Sequence, residues 1–485
     1  MMSQKSLKKN ASFSILYSIM GILYPLITFP YASKVLLPQG IGQYEFANSI
    51  ISYFLIIANL GIISYGSREM ARIRDSKKLR NKLAKELLVI NFTSTCFAYL
   101  VMLIAIFSIR PLSNYRQLLI VLGLRVLFSM FNMEWLYQAF EDYEYIAFRS
   151  IVFQVLSLIA LFVFVKTDKD VIIYAIINTV ALSGTGICNF IHSKKYIDLR
   201  EKISLNLKVH LRSVLIFFGM SVSVSLYTAL DTSMIGFLTN DASVGYYTTA
   251  NRINRLVLTV VSAAVSVLSP RISYLIATET NDDSWLCLFQ KSLSFVICFS
   301  VPCIFGLFIL SPQLILYLCG EDFIPSIKLM RMLVPVIFIW SLASVVGATI
   351  LSPLRKEKYM LYAQVSGAVV NMILNFILIR LLGVFGAVIA TLIAEGCVTG
   401  IQMIVARKFI FNNFFFINIL QSFISSCVMA SLVLCIRRIT NYTLWGCCIC
   451  IVFGMMVYFL FMLLLKNNIA VSIFKRILNV NFIHK

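Results

Sequence analysis

The chain has 485 residues, 60% of them hydrophobic and only 13% charged, whereas an ordinary soluble domain carries about 25% charged residues. A membrane-crossing helix consumes roughly 20 apolar residues, so this content suffices for about fourteen crossings and leaves little for a soluble domain. Composition thus excludes a water-soluble enzyme, a disordered chain and a nucleic-acid binder with a conventional core, and leaves the net charge of +21 to be explained.

In chain order, apolar spans are predicted at 11–33, 41–65, 84–108, 117–138, 146–165 and 170–191, then at 213–238, 244–268, 286–311, 326–351, 359–380 and 384–406, and finally at 414–436 and 444–465. The basic opening MMSQKSLKKN runs into an apolar stretch with no small-residue cleavage site, so it reads as an uncleaved first span. With the N-terminus inside, most of the 42 Lys and Arg fall on the inner side, including the dense run from Arg68 to Lys85 and later Arg149, Lys194, Lys195, Arg355, Lys356, Arg407 and Lys408. Lys34, Arg110, Arg116, Lys166 and Lys169 are among the few left outside. That asymmetry follows the positive-inside rule and places both termini in the cytoplasm. Most of the charge is therefore a topology signal, and no nucleic-acid partner is expected.

Chemistry-bearing clusters are scarce. The twelve cysteines lie mostly in apolar runs, and Cys447, Cys448 and Cys450 have no neighbouring His or carboxylate to complete a metal site. His192, His210 and His484 are the only histidines, near predicted cytoplasmic loops or the end of the sequence. With no phosphate-binding P-loop and no paired carboxylates in an outer loop, no catalytic residue, metal or bound cofactor is expected.

The chain also repeats itself. Residues 41–50 (IGQYEFANSI) align without gaps to 244–253 (VGYYTTANRI), sharing G-x-Y-x-x-A-N-x-I. A weaker echo pairs 138–145 with 352–359, each after a fourth span. The expected architecture is all-α and integral to the membrane. Two six-helix lobes, 1–198 and 199–410, would be related by a parallel repeat, and 411–485 would add two C-terminal helices and a cytoplasmic tail.

The stretches LYPLITFPYASKVLLPQGIGQY (from Leu23), FANSIISYFLIIANLGIISYGSREMARIRD (from Phe46), WLYQAFEDYEYIAFRSIVFQ (from Trp135), SLYTALDTSMIGF (from Ser225) and VGYYTTANRINR (from Val244) resemble Wzx-type polysaccharide-unit flippases of the multidrug/oligosaccharidyl-lipid/polysaccharide exporter superfamily. The motifs cover most of the first 275 residues; the C-terminal third matches in layout more than in wording. The resemblance implies transfer of undecaprenyl-pyrophosphate-linked oligosaccharide across the bacterial inner membrane for O-antigen or capsule. It also implies cooperation with a polysaccharide polymerase and a chain-length regulator.

Ionisable groups at membrane depth are costly and normally face a cavity or a partner. Arg125, Asp231 and Arg252 are expected at similar depth, Arg255 one turn below Arg252 on the same face, and Glu395 near the middle of its span. The arginines would meet pyrophosphate or acidic sugars. Asp231 and Glu395 would hold them in the empty state or carry a coupling proton, with sodium coupling equally open. A structural ion pair of Asp231 with Arg252 is the plainer alternative. Asp231, Arg252 and Arg255 match Thr28, Ser49 and Ser52 in the first copy, so one lobe alone carries the charges. Pro25 and Pro30 would bend the first span into a gating element or leave it statically kinked. Rival functions are an exporter of drugs or of another lipid-linked precursor and, from a different class, a membrane-embedded polymerase or ligase.

Overall fold

The computed structural model describes residues 7–201, 203–277, 284–410, 413–439 and 444–480. Lys5, Lys202, His484 and Lys485 lie outside them. Regular structure among the described residues is entirely helical, as required of a chain that must satisfy its backbone groups without water. Many large apolar side chains on these helices are exposed, Phe97, Phe107, Leu381 and Ile404 among them, as suits helices whose outer faces meet hydrocarbon.

By length and apolarity, nine helices among the described residues can cross a membrane, or up to eleven counting two bent pairs. This count is below the predicted fourteen. The stretch Ser12–Ile73 counts once, although its 62 residues hold the first two predicted spans on either side of a kink at Leu37. The fourth holds only 13 α-helical residues, Arg116–Phe128, before tightening into a 3₁₀ turn at Ser129–Phe131. The seventh predicted span lies within one continuous helix, Lys208–Leu238.

Two compact units divide at Gly245 and Tyr246. The first contains α1 (Leu7–Asn59), α2 (Ile62–Ile73), α3 (Lys77–Ser108), α4 (Arg116–Phe128), α5 (Glu134–Ala139), α6 (Tyr143–Phe164), α7 (Val171–His192), α8 (Lys208–Leu238) and the start of α9 (Asp241–Ala277). Its centre is α1, against which α3, α4, α6 and α8 pack. Although α8 opens the second sequence copy, it lies along α1, so this division follows packing and does not coincide with the residue 198/199 boundary of the repeat. Pro25 and Pro30 sit in helical backbone; inside α1 only Leu37 departs from it, at φ 60°, ψ 173°. Leu37 precedes Pro38, whose ring disfavours helix in the residue before it. Few residues other than glycine adopt this backbone, and it costs about 1–3 kcal/mol.

The repeat is visible as geometry. A Cβ on Gly42 would lie 1.7 Å from the carbonyl oxygen of Asp241, and one on Gly245 would lie 2.1 Å from that of Pro38. Gly245 is the repeat counterpart of Gly42, and Asp241 that of Pro38, so the same close approach occurs twice with the copies exchanged. Near the other end of these helices, Leu60 and Gly61 turn left-handed between α1 and α2, and α9 bends by 40° after the matching residue, Ala263.

The second unit comprises the rest of α9, α10 (Ser284–Cys319), α11 (Ile324–Leu333), α12 (Pro335–Val346), α13 (Glu357–Leu382), α14 (Val384–Ile410), α15 (Asn413–Ile439), α16 (Leu444–Leu464) and α17 (Asn468–Val480). α13 and α14 form a tight hairpin turning at Gly383, and α12 packs on α10 and α14. The two C-terminal spans are docked: α15 and α16 lie against each other and against α10. Buried Asn467 at the α16–α17 turn donates to Asn418 (2.9 Å) and Gln421 (2.6 Å) of α15, satisfying amides that would be expensive to leave unpaired in an apolar medium.

Candidate functional site

In the first unit, half-buried Arg125 sits in the last turn of α4 and donates from Nη1 to Asn48 Oδ1 at 2.6 Å. Asn48 is the asparagine of the repeated G-x-Y-x-x-A-N motif, so this motif supplies both a close glycine contact and a neutral acceptor for an intramembrane guanidinium. A neutral partner leaves the arginine's charge uncancelled. Asp231 is buried on α8 beside Thr232 and Ser233. Ser233 Oγ and Tyr53 Oη lie 2.7 Å apart and tie α8 to α1.

In the second unit, α9 has two unlike faces. Val261, Val265 and Ile272 are buried in an apolar cluster with Phe289, Leu293 and Val296 of α10. Another face runs from half-buried Arg252 through Arg255, Thr259, Ala263, Ser266 and Pro270, all exposed and spaced three or four residues apart. That spacing forms one continuous stripe. The side chain of Arg255 has no partner among the described residues. The hydroxyl of Thr259 turns back to the carbonyls of Arg255 (3.1 Å) and Leu256 (2.7 Å). Sequence reasoning located the two arginines but missed the polar and small residues that continue their stripe. Glu395 is buried on α14, one turn after Thr391, whose hydroxyl lies 3.3 Å from that of Tyr247 on α9. The structure thus joins Arg252 with Arg255 on one stripe and Arg125 with Asn48. Pro25 and Pro30 lie in the first half of α1.

At the end of the first unit predicted to be outer, the Leu37 break, the 110–118 turn and the start of α7 enclose a hollow of about 720 Å³. Its polar wall includes Gln39, Gln43, Asn114, Gln117 and Asp168. Tyr115 donates its hydroxyl to Asp241 Oδ1. Burial and that carboxylate push the phenol's pKa up, keeping it a neutral donor. Three segments distant in sequence build this wall, so no contiguous motif announces it.

At the opposite end, the basic run is largely engaged in structure. Arg72 pairs with Glu69 at 3.2 Å, Arg74 with Glu141 at 3.2 Å, and the Arg68 guanidinium lies 5.0 Å from the Phe217 ring centre. His210 bridges Tyr65 (Nδ1, 2.7 Å) and buried Glu86 (Nε2, 2.9 Å), while the backbone N–H of Asn206 donates to the other Glu86 oxygen at 2.7 Å. These bonds pin the start of α8 and the residues just before it onto α2 and α3. No cluster of three metal-capable side chains occurs among the described residues.

Residues 7–276 match the polysaccharide biosynthesis protein family, and residues 217–377 match the MatE family. The chain belongs to the polysaccharide biosynthesis protein family. It is 23% identical over 414 residues to a protein of Escherichia coli (strain K12) named as an O-antigen transporter, covering 83% of this chain and 97% of the relative. A Haloferax volcanii protein named as the low-salt glycan biosynthesis flippase Agl15 is 25% identical over 267 residues, 53% of this chain and 56% of its own. Among solved structures, Lipid II flippase MurJ in an inward closed conformation superposes with a TM-score of 0.74 at 16% identity, covering 95% of this chain and 100% of that one. An inward-facing MATE-family multidrug transporter of the MOP superfamily gives 0.63 at 15% identity, covering 80% and 93%. These likenesses establish an all-α, multi-pass membrane fold of the MurJ and MATE type.

Proposed function

We propose that this family member is a flippase of the bacterial inner membrane. Its cargo is an undecaprenyl-pyrophosphate-linked oligosaccharide unit, carried from the cytoplasmic to the outer leaflet by alternating access for O-antigen or capsule assembly. Both termini are cytoplasmic in this reading, and a polymerase and a chain-length regulator act on the delivered units. Support for a glycan as cargo comes from the names of the E. coli and H. volcanii relatives, an O-antigen transporter and a glycan biosynthesis flippase.

The observation that carries the proposal is the exposed stripe of α9 headed by Arg252 and Arg255. A charge at the bilayer centre costs about 2.5–3.5 kcal/mol even on the most lenient scales. A face bearing two guanidiniums, followed by threonine, alanine and serine, is therefore suited to water or an anion and unsuited to acyl chains. Guanidinium forks match the paired oxygens of pyrophosphate. A site whose charges appear in one repeat copy only is functional equipment on a shared scaffold. Asp231 and Glu395 are the carboxylates available to carry a coupling proton, or to ligate sodium, as the cycle resets.

The test is the double variant Arg252→Ala/Arg255→Ala in cells and in reconstituted vesicles. Loss of surface polysaccharide and of outer-leaflet delivery, at unchanged protein level, is expected. Wild-type polysaccharide from the double variant would falsify the site.

A further inference from the structure

Between α6 and α7, at the end predicted to be cytoplasmic, lies a cavity of about 540 Å³ that none of the features above uses. Its polar wall carries three cations, Arg149, Lys194 and Lys195, beside His192. The remaining wall is mostly apolar and includes Phe148 and Ile191, whose side chains are 69% and 59% exposed on the outer faces of their helices.

Arg149 is the fixed element. It is 6% exposed, and its Nη1 donates to Asn189 Oδ1 while Nη2 lies 3.4 Å from Ser150 Oγ. The carboxylate closest to it, Glu134, stands 3.9 Å away, and Nε is buried with no partner among the described residues. The guanidinium stands 5.8 Å from the Tyr145 ring centre, and His192 stacks on that ring at 4.0 Å and 10°. Asp142, another nearby carboxylate, accepts the hydroxyl of Tyr196. The cluster therefore holds more positive than negative charge, and its innermost member keeps one donor unused.

Chain position fixes the depth. α7 has 22 residues, about 33 Å at 1.5 Å per residue, which matches a hydrocarbon core of about 30 Å. Lys194 and Lys195 follow directly after it, at headgroup level. A ligand here meets cations at the interface and apolar walls that continue onto lipid-facing helix surfaces.

We propose that this cavity binds the phosphate headgroup of an anionic membrane lipid, with the acyl chains running along the exposed faces of α6 and α7. Arg149 Nε and the two lysines supply charge-assisted bonds to phosphate oxygens. Phe148 and Ile191 flank the proximal acyl carbons. A soluble anion would leave that apolar half unused, and a zwitterionic lipid would bring its own cation against the lysines. The proposal requires only a membrane-embedded protein and stands apart from the flippase reading.

The experiment uses the purified full chain, delipidated in detergent, exposed to cardiolipin or to phosphatidylcholine, with retained lipid counted by native mass spectrometry. Wild type should retain cardiolipin preferentially, and Lys194→Ala/Lys195→Ala should bind it roughly thirtyfold more weakly. Its thermal unfolding in lipid-free detergent should stay unchanged. The control Lys77→Ala/Lys78→Ala removes two exposed lysines from the same end, outside the cavity, and should retain cardiolipin normally. Phe148→Ala should weaken cardiolipin without altering the binding of soluble glycerol phosphate. Equal retention by the 194/195 variant, an equal loss in the 77/78 control, an unchanged Phe148→Ala, or retention of polyprenyl pyrophosphate but not cardiolipin would each overturn the proposal.

Discussion

Glu141 and Arg355 occupy the same turn, once in each copy of the repeat. Both are left-handed, at φ 53° and φ 55°. In each case the next residue closes a bond from its N–H to the carbonyl five residues back: Asp142 to Tyr137 at 2.9 Å, and Lys356 to Leu351 at 2.7 Å. This is a helix-terminating turn of the Schellman kind, normally given to glycine, here built on a glutamate and an arginine. Left-handed backbone costs an L residue about 1–2 kcal/mol, part of which glycine returns through its freer unfolded state. Arg355→Gly should therefore stabilise the protein by about 1 kcal/mol. Glu141→Gly should gain less, because it also forfeits the 3.2 Å pair with Arg74, a partly exposed pair worth about 0.2–1 kcal/mol. Thermal unfolding in detergent compares the two, and a larger gain at 141 would contradict this account.

Gly42 and Gly245 should tolerate no side chain. Their Cβ positions fall 1.7 Å and 2.1 Å from backbone carbonyl oxygens, which cannot swing aside as a side-chain tip would. Gly42→Ala and Gly245→Ala should each cost about 1–3 kcal/mol or more. At Gly396 a Cβ meets nothing within 4 Å, so Gly396→Ala should be neutral or better. Melting temperatures of the three variants decide it.

Thr259 and Ser266 separate a wet face from a packed one. Both are exposed on the Arg255 stripe, so Thr259→Leu and Ser266→Leu should leave stability within about 0.5 kcal/mol of wild type. Surface polysaccharide should fall several-fold, because leucine dries a path meant for a polar headgroup. Val260→Leu, exposed but off the stripe, should transport normally. If all three behave alike in a polysaccharide assay, the stripe has no special role.

Asp170 gives a pH signature at the other end of α7. Its Oδ2 accepts the backbone N–H groups of Lys166 (2.9 Å) and Thr167 (2.7 Å) and the Thr167 hydroxyl. Those donors hold its pKa below the ordinary 3.8. The carboxylate therefore contributes fully above the unfolded value and loses its contribution as pH falls through the lower folded one. Amide exchange at residues 166 and 167 should show steady protection down to about pH 4 and weakening only below it. Weakening that begins near neutral pH would refute this.

The sequence made the membrane class plain because apolar runs of spanning length have few other uses. The repeat was legible because Gly42 and Gly245 meet backbone that no side chain could approach, and because the same motif carries Asn48, which accepts from Arg125. Charges such as Arg252 and Arg255 stood out against apolar surroundings. Other features were hidden. Leucine carries no breaker signal, so Leu37 itself did not stand out within the gap predicted between the spans 11–33 and 41–65, where the interruption of α1 falls. Thr259, Ala263 and Ser266 look the same whether they line a wet surface or let two helices approach. The walls of both hollows come from segments distant in sequence, and only folding assembles them.

The stripe on α9 also bears on how the protein is made. A nascent helix entering the bilayer alone would expose Arg252 and Arg255 to lipid, each at roughly 2.5–3.5 kcal/mol if placed at the centre. The apolar face of α9, including Val261, Val265 and Ile272, offsets part of that cost only once α10 is present to receive it. Integration of α9 is thus tied to synthesis of the segment that follows, and ribosomes halted before residue 284 should leave α9 poorly inserted. What serves the finished molecule as a polar track makes α9 the crossing that needs a partner to enter the membrane.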